Sequence, residues 1–260
     1  MTNEQYIKAI ENRHSRRAYK QKHLSQEIKD VIKQMVDAVN EEAGLDLLFI
    51  DDATPFFSIF SGKFSMIVVA GDDSQKVREN CGYYGESIVL QCVYHGLGTC
   101  WVSGTYNENK VYEAIKLPSE KRVYAVITIG YPKDRYSLVE KTMYKATHKK
   151  CKSYQDMIEV CDEKLPEAYA YGLSLVEEGP SAVNRRPVKF RYENGEFSGY
   201  VDEPYSDKSV DFGIAKLHFV IGAMAKGVKG KWSFENVFEP VDGQRLKFEP
   251  KMDEEEKSNE

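Results

Sequence analysis

The chain has little of what staples, anchors or charges a protein. Only 5 residues are cysteine (Cys81, Cys92, Cys100, Cys151 and Cys161). Their number is odd and none stand in Cys-x-x-Cys spacing, which argues against a disulfide framework and against a zinc site. They are expected to be reduced packing residues. No apolar run approaches the roughly 20 residues that span a bilayer, and the polar stretch from Met1 to Ile10 is unlike a signal peptide. With 36 Lys and Arg against 41 Asp and Glu, the net charge is -5, the wrong sign for a nucleic-acid surface spread over the chain. No nucleic-acid or membrane partner is expected, and the expected location is cytoplasmic. What is present is ordinary globular composition, 42% hydrophobic and 30% charged over 260 residues. That is enough chain to bury a core without staples, as one large domain or two small ones.

Against the acidic background stands one basic stretch, Asn12-Arg13-His14-Ser15-Arg16-Arg17-Ala18-Tyr19. A guanidinium offers a planar fork of donors matching two phosphate oxygens, and a serine hydroxyl or backbone N–H can take a third. The same run is equally a solvated surface at a helix end. Thr2 with Gln5 fits a capping box for a first helix ending near Asn12. Ser25 can cap a second, with Ile28, Val31, Ile32, Met35, Val36 and Val39 at helical spacing.

Leu45 to Ile50 and Phe64 to Ala70 read as strands, with a loop or short helix between them. Tyr83 to His95 reads as an apolar helix. It runs into the glycine-rich stretch Gly96-Leu97-Gly98-Thr99-Cys100-Trp101-Val102-Ser103-Gly104, which either caps the helix and turns the chain or lets backbone N–H groups approach a flat ligand. Asn109 to Leu117 is expected as a helix and Arg122 to Ile129 as a strand closed by Gly130-Tyr131-Pro132. A charged connection follows, whose Lys141, Lys145, Lys149, Lys150 and Lys152 are solvated or phosphate-directed. Helices are expected over Tyr154 to Cys161 and Glu167 to Glu178, then a polar turn Ser181 to Pro187, a hairpin about Asn194-Gly195, a long apolar helix over Asp211 to Ala225 and a strand over Trp232 to Phe238. The acidic tail around Met252 to Lys257 reads as disordered. Both parts of the chain share the order helix, strand, long apolar helix, strand, a faint sign of internal duplication.

Taken together, Arg13-His14-Ser15-Arg16-Arg17-Ala18-Tyr19, the stretch Gly96 to Gly104 and Gly130-Tyr131-Pro132 resemble the FMN-dependent nitroreductase family in order and spacing, over roughly residues 4 to 238. The resemblance implies an α+β fold of two halves, residues 1–150 and 151–240, each a mixed sheet flanked by helices, with the flavin between them and a tail at 241–260. It assigns Arg13, His14, Ser15 and Arg17 to the flavin phosphate and ribityl. It sets Trp101, Val102, Ser103 and Gly104 beside the reactive edge of the ring, with Ser103 and Gly104 offering backbone N–H groups.

Family members carry a Pro-Ser-x-x-Asn-x-Gln-Pro-Trp element after their second helix, contributed across a homodimer. Here that place reads Asp37-Ala38-Val39-Asn40-Glu41-Glu42, and the element appears instead as Pro180-Ser181-Ala182-Val183-Asn184-Arg185-Arg186-Pro187-Val188. The chain therefore resembles a branch in which one chain imitates the dimer, with Pro180, Ser181, Ala182 and Asn184 as the facing wall. A monomer then suffices for the site, and a homodimer is possible. The implied activity is hydride transfer from NAD(P)H through FMN to a nitroaromatic, a quinone or a similar small oxidant, carried by the flavin with no catalytic side chain. The alternative is a non-catalytic FMN-binding or storage protein.

Overall fold

Caps and apolar spacing place the helices, and the two short-period runs place the sheets. The computed structural model describes residues 1–148 and 152–241. In order come α1 (Asn3–Asn12), α2 (Gln26–Ala43), β1 (Leu48–Ile50), β2 (Ser65–Asp72), α3 (Gln75–Tyr94), β3 (Gly98–Val102), α4 (Glu108–Ile115) and β4 (Lys121–Gly130). They are followed by α5 (Leu138–Thr147), α6 (Tyr154–Met157), β5 (Ile158–Cys161), α7 (Glu167–Glu178), β6 (Val188–Glu193), β7 (Glu196–Val201), α8 (Lys208–Ala225), β8 (Gly230–Trp232) and β9 (Val237–Pro240). The expected capping box starts α1, Ser25 caps α2, and Gly44 in the left-handed region (φ 63) ends it. None of the helices among the described residues is long and apolar enough to cross a membrane.

The fold is α+β, two sheets flanked by helices. The first sheet has the order β1-β2-β4-β3 and the second β5-β6-β7-β9-β8. Mixed pairing was expected in both, yet the strands of the first are antiparallel throughout; in the second only β5 and β6 run parallel. The first sheet's parallel element is a single bridge from Ser15 to Thr99. Between the sheets, α3 packs on α8 at glycine contact: a β-carbon on Gly82 would strike the Val210 carbonyl, and one on Gly213 the Glu79 carbonyl. α8 is buried from Ser209 to Ala223, as a helix apolar on all sides must be. α1 closes the end of this layer, with Tyr6, Ala9 and Ile10 packed on Leu90, Leu175, Leu217 and Ile221.

Several expected boundaries move, each for a local reason. Leu45 and Leu47 enter the core, but Asn40 takes both the N–H and the carbonyl of Leu47 with its amide, so the strand pairs only from Leu48. α3 starts eight residues earlier than expected, at a cap formed by Ser74. The buried Glu79, among Gln75, Lys76, Arg78 and Asn80, disguises the first turns as polar surface. The glycine-rich stretch is a strand over Gly98–Val102, paired with β4. The charged connection contains α5, opened by a capping box of Ser137 and Glu140; Lys149 and Lys150 lie outside the described residues, as do Cys151 and the acidic tail. Tyr154 to Cys161 is not one helix. A single turn gives way to β5, where Ile158 and Val160 alternate against β6. The last strand is a hairpin of β8 and β9, reversed at Asn236 (φ 65).

Candidate functional site

The basic stretch leaves α1 in extended conformation and runs beside β3. Ser15 bridges Thr99, and the Arg16 N–H donates to the Thr99 carbonyl at 2.8 Å. Gly98 is required here, since a β-carbon would meet Pro132 at 2.9 Å and Arg16 at 3.1 Å. Side chains alternate along an extended segment, and this divides the predicted residues. Ser15 hydrogen-bonds the buried Cys100, and the charges of Arg17 and Arg13 act on the same thiol, which burial, the largest influence, pushes up. His14 instead lines a cleft of about 390 Å³ with Lys8, Asn12, Arg16, Tyr94 and Gly98. Burial first, then Arg13 and Arg16, lower its imidazole below the usual value against the pull of Glu178.

The backbone of this stretch is held by Glu140, which sequence reasoning left as part of a charged connection. Its Oε1 accepts from the Arg17 N–H at 2.8 Å, the Ala18 N–H at 3.3 Å and Arg16 Nε at 3.0 Å, while Oε2 accepts from the Ser137 N–H at 2.6 Å. Burial raises the carboxyl, but the Arg17 and Ser137 N–H groups and the Arg16 guanidinium outweigh it and hold it at about 2. The signal was readable as Ser-x-x-Glu, a capping box before an exposed helix. Because Glu140 takes the Arg17 N–H and the Ile10 carbonyl takes that of Arg13, any ligand of these two residues must be met by their side chains. Among the described residues, no hydrogen bond or ion pair engages the Arg17 guanidinium.

The indole of Trp101 turns into the protein, onto the bare Cα of Gly85. It donates from Nε1 to Glu86 Oε2 at 2.7 Å. Glu86 Oε1 lies 3.0 Å from His218 Nε2, whose other nitrogen lies 2.9 Å from the Leu175 carbonyl. A carbonyl only accepts, so Nδ1 carries a proton; a second must lie between Nε2 and the carboxylate, since two lone pairs would otherwise face each other. The pair is fully buried. Beyond the indole, Val102 ends β3, and Ser103 and Gly104 follow it as exposed residues, Gly104 with open space at its Cα.

The facing segment follows α7. Val183 (φ 49), Asn184 (φ 55) and Arg186 (φ 46) are all left-handed, an uncommon conformation for a β-branched residue. The turn is pinned from within and from α8. Ser181 Oγ accepts from the Arg186 N–H at 3.0 Å, and Asp211 Oδ1 accepts from the Ala182 N–H at 3.0 Å. Arg185 pairs with Asp207 at 2.8 Å and Asp211 at 3.4 Å. Burial pushes Asp211 up to about 7, against the Ala182 N–H and Arg185, which pull it down. Asn184 reaches the Thr147 carbonyl at 3.5 Å, and Arg186 donates to the Lys152 carbonyl.

The chain brings the two walls together. Arg13 Nη2 donates to the Glu178 carbonyl at 3.4 Å, two residues before Pro180. Of the five buried side-chain polar atoms without a hydrogen-bond partner among the described residues, four lie on these segments: Arg13 Nε, Thr99 Oγ1, Arg185 Nε and Arg186 Nε. Buried donors without partners are rare in folded proteins. The four lie on the basic stretch, on β3 and on the turn after α7 of an α+β protein.

The family model described as "Putative TM nitroreductase" matches residues 5–223, and the chain belongs to that family. A solved structure from Thermotoga maritima, described as a "putative nitroreductase", has a TM-score of 0.61 at 24% identity, covering 90% of this chain and 91% of that one. A nitroreductase family protein from Clostridium novyi has a TM-score of 0.41 at 21% identity over 50% of this chain and 86% of its own. An FMN-dependent nitroreductase from Clostridium difficile has 0.41 at 21%, over 54% and 95%. No curated protein matches the chain in sequence.

Proposed function

We propose that this nitroreductase-family protein is an FMN-dependent oxidoreductase that takes hydride from NAD(P)H and reduces a nitroaromatic, a quinone or a similar small oxidant in the cytoplasm. The observation that carries the reading is the set of unpartnered buried polar atoms at Arg13, Thr99, Arg185 and Arg186, which suits a ligand with many acceptors. Arg13, Ser15 and Arg17 would hold the phosphate, and no dinucleotide fingerprint follows a strand to favour FAD. Ser103 and Gly104 would face the ring edge, and Pro180, Ser181, Ala182 and Asn184 would form the opposite wall. A bound flavin would supply hydride acceptance and donation.

The protein's own work is then to bind, orient and stabilise charge. Arg17 and Arg13 neutralise a dianion that the net charge of -5 would otherwise repel. Backbone N–H groups after β3 place donors where negative charge would grow. His14, on the cleft side of the stretch, would contribute less than its neighbours. The Arg13 contact with Glu178 supports a site completed within one chain, so a monomer suffices.

The test is to load the purified chain with FMN and titrate it anaerobically with NADH and NADPH, following flavin absorbance. Bleaching supports the reading; binding without bleaching by either nucleotide identifies a carrier instead, and preference for FAD sinks the cofactor assignment. Arg17→Ala should weaken FMN by about 1.5 to 3 kcal/mol, one charge-assisted hydrogen bond, with the fold intact by circular dichroism.

A further inference from the structure

Arg13 is nearly buried, with 11% of its side chain exposed, and a buried guanidinium needs an anion. The carboxylate within reach is Glu86, which is completely buried, but its Oε1 is 3.8 Å from Arg13 Nε. That is too long for a hydrogen bond, and Nε has no partner. The reason lies on α8 and β3: His218 occupies Oε1 at 3.0 Å and Trp101 occupies Oε2 at 2.7 Å. His218 and Glu86 together carry the extra proton, so the carboxylate's charge is already compensated without Arg13. The Glu178 carboxyl, at the exposed end of α7, makes no ion pair with Arg13, which meets only that residue's carbonyl.

We propose that His218 is a positioning residue that, by engaging Glu86, keeps the 3.8 Å ion pair between Arg13 and Glu86 from closing into a hydrogen bond, so that Arg13 Nε stays free to meet a phosphate. The inference rests on the reading of Arg13 as a phosphate ligand and deepens it. It makes the second half essential to the clamp through a residue that touches no ligand. Remove His218, and the buried Glu86 carboxylate must find another cation. Arg13, whose Nε already lies 3.8 Å from Oε1, would close on it, and that capture would quench the clamp while leaving the fold charge-balanced.

The experiment is a rescue series read by equilibrium binding of FMN and, separately, by the thermal shift that inorganic phosphate produces. His218→Leu is expected to stay folded by circular dichroism and to bind both probes at least about tenfold more weakly, the loss of one charge-assisted hydrogen bond. Adding Glu86→Gln to the same chain removes the competing carboxylate and should restore both affinities to near wild type. A merely structural histidine predicts that affinity and melting temperature fall and recover together, whereas capture of Arg13 lowers affinity in a chain whose fold is intact. His218→Leu with unaltered affinity, or a double variant that stays weak, overturns the proposal. Should His218→Leu fail to fold, the double variant, which leaves no lone buried carboxylate, decides in the same way. Wild-type chain that responds to phosphate but not to FMN would sink the flavin reading and leave the series to be read with phosphate; response to neither overturns both.

Discussion

The two walls of the site are held in opposite ways. The basic stretch lies relaxed and extended, bridged to β3, with its backbone donors gathered on Glu140, a carboxylate held at about 2. The facing turn is left-handed at three non-glycine residues and hangs from Asp211, a carboxyl raised to about 7. One wall is preorganised by an anion that never loses its charge near neutrality. The other is strained and tied to a group poised to change charge there. Under the proposed function, the first would be a rigid phosphate clamp and the second an adjustable wall beside the ring.

The largest blow to this contrast should be Glu140→Ala. It orphans the Arg17 and Ala18 N–H groups and takes the carboxylate from Arg16, whose Nη2 keeps only the Lys133 carbonyl, and removing one partner of a buried charged pair costs about 3–5 kcal/mol. Denaturant unfolding measures it. The wild type should also lose this contribution in acid: the folded value of about 2 lies below the ordinary 4.5. Its stabilisation is therefore full above about pH 4.5 and vanishes as pH falls toward 2, a slope the variant should lack.

Asp211→Asn should act in the other direction and window. The folded carboxyl titrates at about 7 against an ordinary 3.8, so its contribution favours the fold at low pH and is lost as pH rises between those values. Relative to wild type, the variant should gain stability from pH 4 to 8, by a few kcal/mol at most by linkage. A thermal-denaturation series across that range would show it, and a flat difference would mean that Arg185 already compensates the charge.

The smallest effect is expected at Val183, which is 73% exposed and left-handed. Val183→Gly relieves a conformation that costs a β-branched residue about 1 kcal/mol or more, partly offset by glycine's greater freedom when unfolded. Chemical denaturation should find the variant equal to or slightly more stable than wild type; clear destabilisation would show that the exposed side chain is itself engaged.

Much of this was legible in the residues. The caps at Thr2 and Ser25, the largely apolar run of α8, the Asn194-Gly195 reversal (φ 52 and 77) and the family-like order of motifs are local patterns, and local patterns survive translation into structure because neighbours in sequence enforce them. The start of α3 and the helix α5 were not legible. Their polar residues look like solvent-facing ones until Glu79 is met by Lys216 at 2.5 Å, Glu86 by His218, and Glu140 by backbone N–H groups more than a hundred residues away.

The chain's order of residues thus determined its family, its basic stretch and the caps of its first helices, because each depends on spacing within one segment. Only the tertiary structure decided which side of the basic stretch His14 faces, that the Trp101 indole turns inward, and that Arg13 meets Glu86 only at 3.8 Å. Those outcomes depend on which buried acid meets which donor across the packed α3 and α8, a competition that no segment contains by itself.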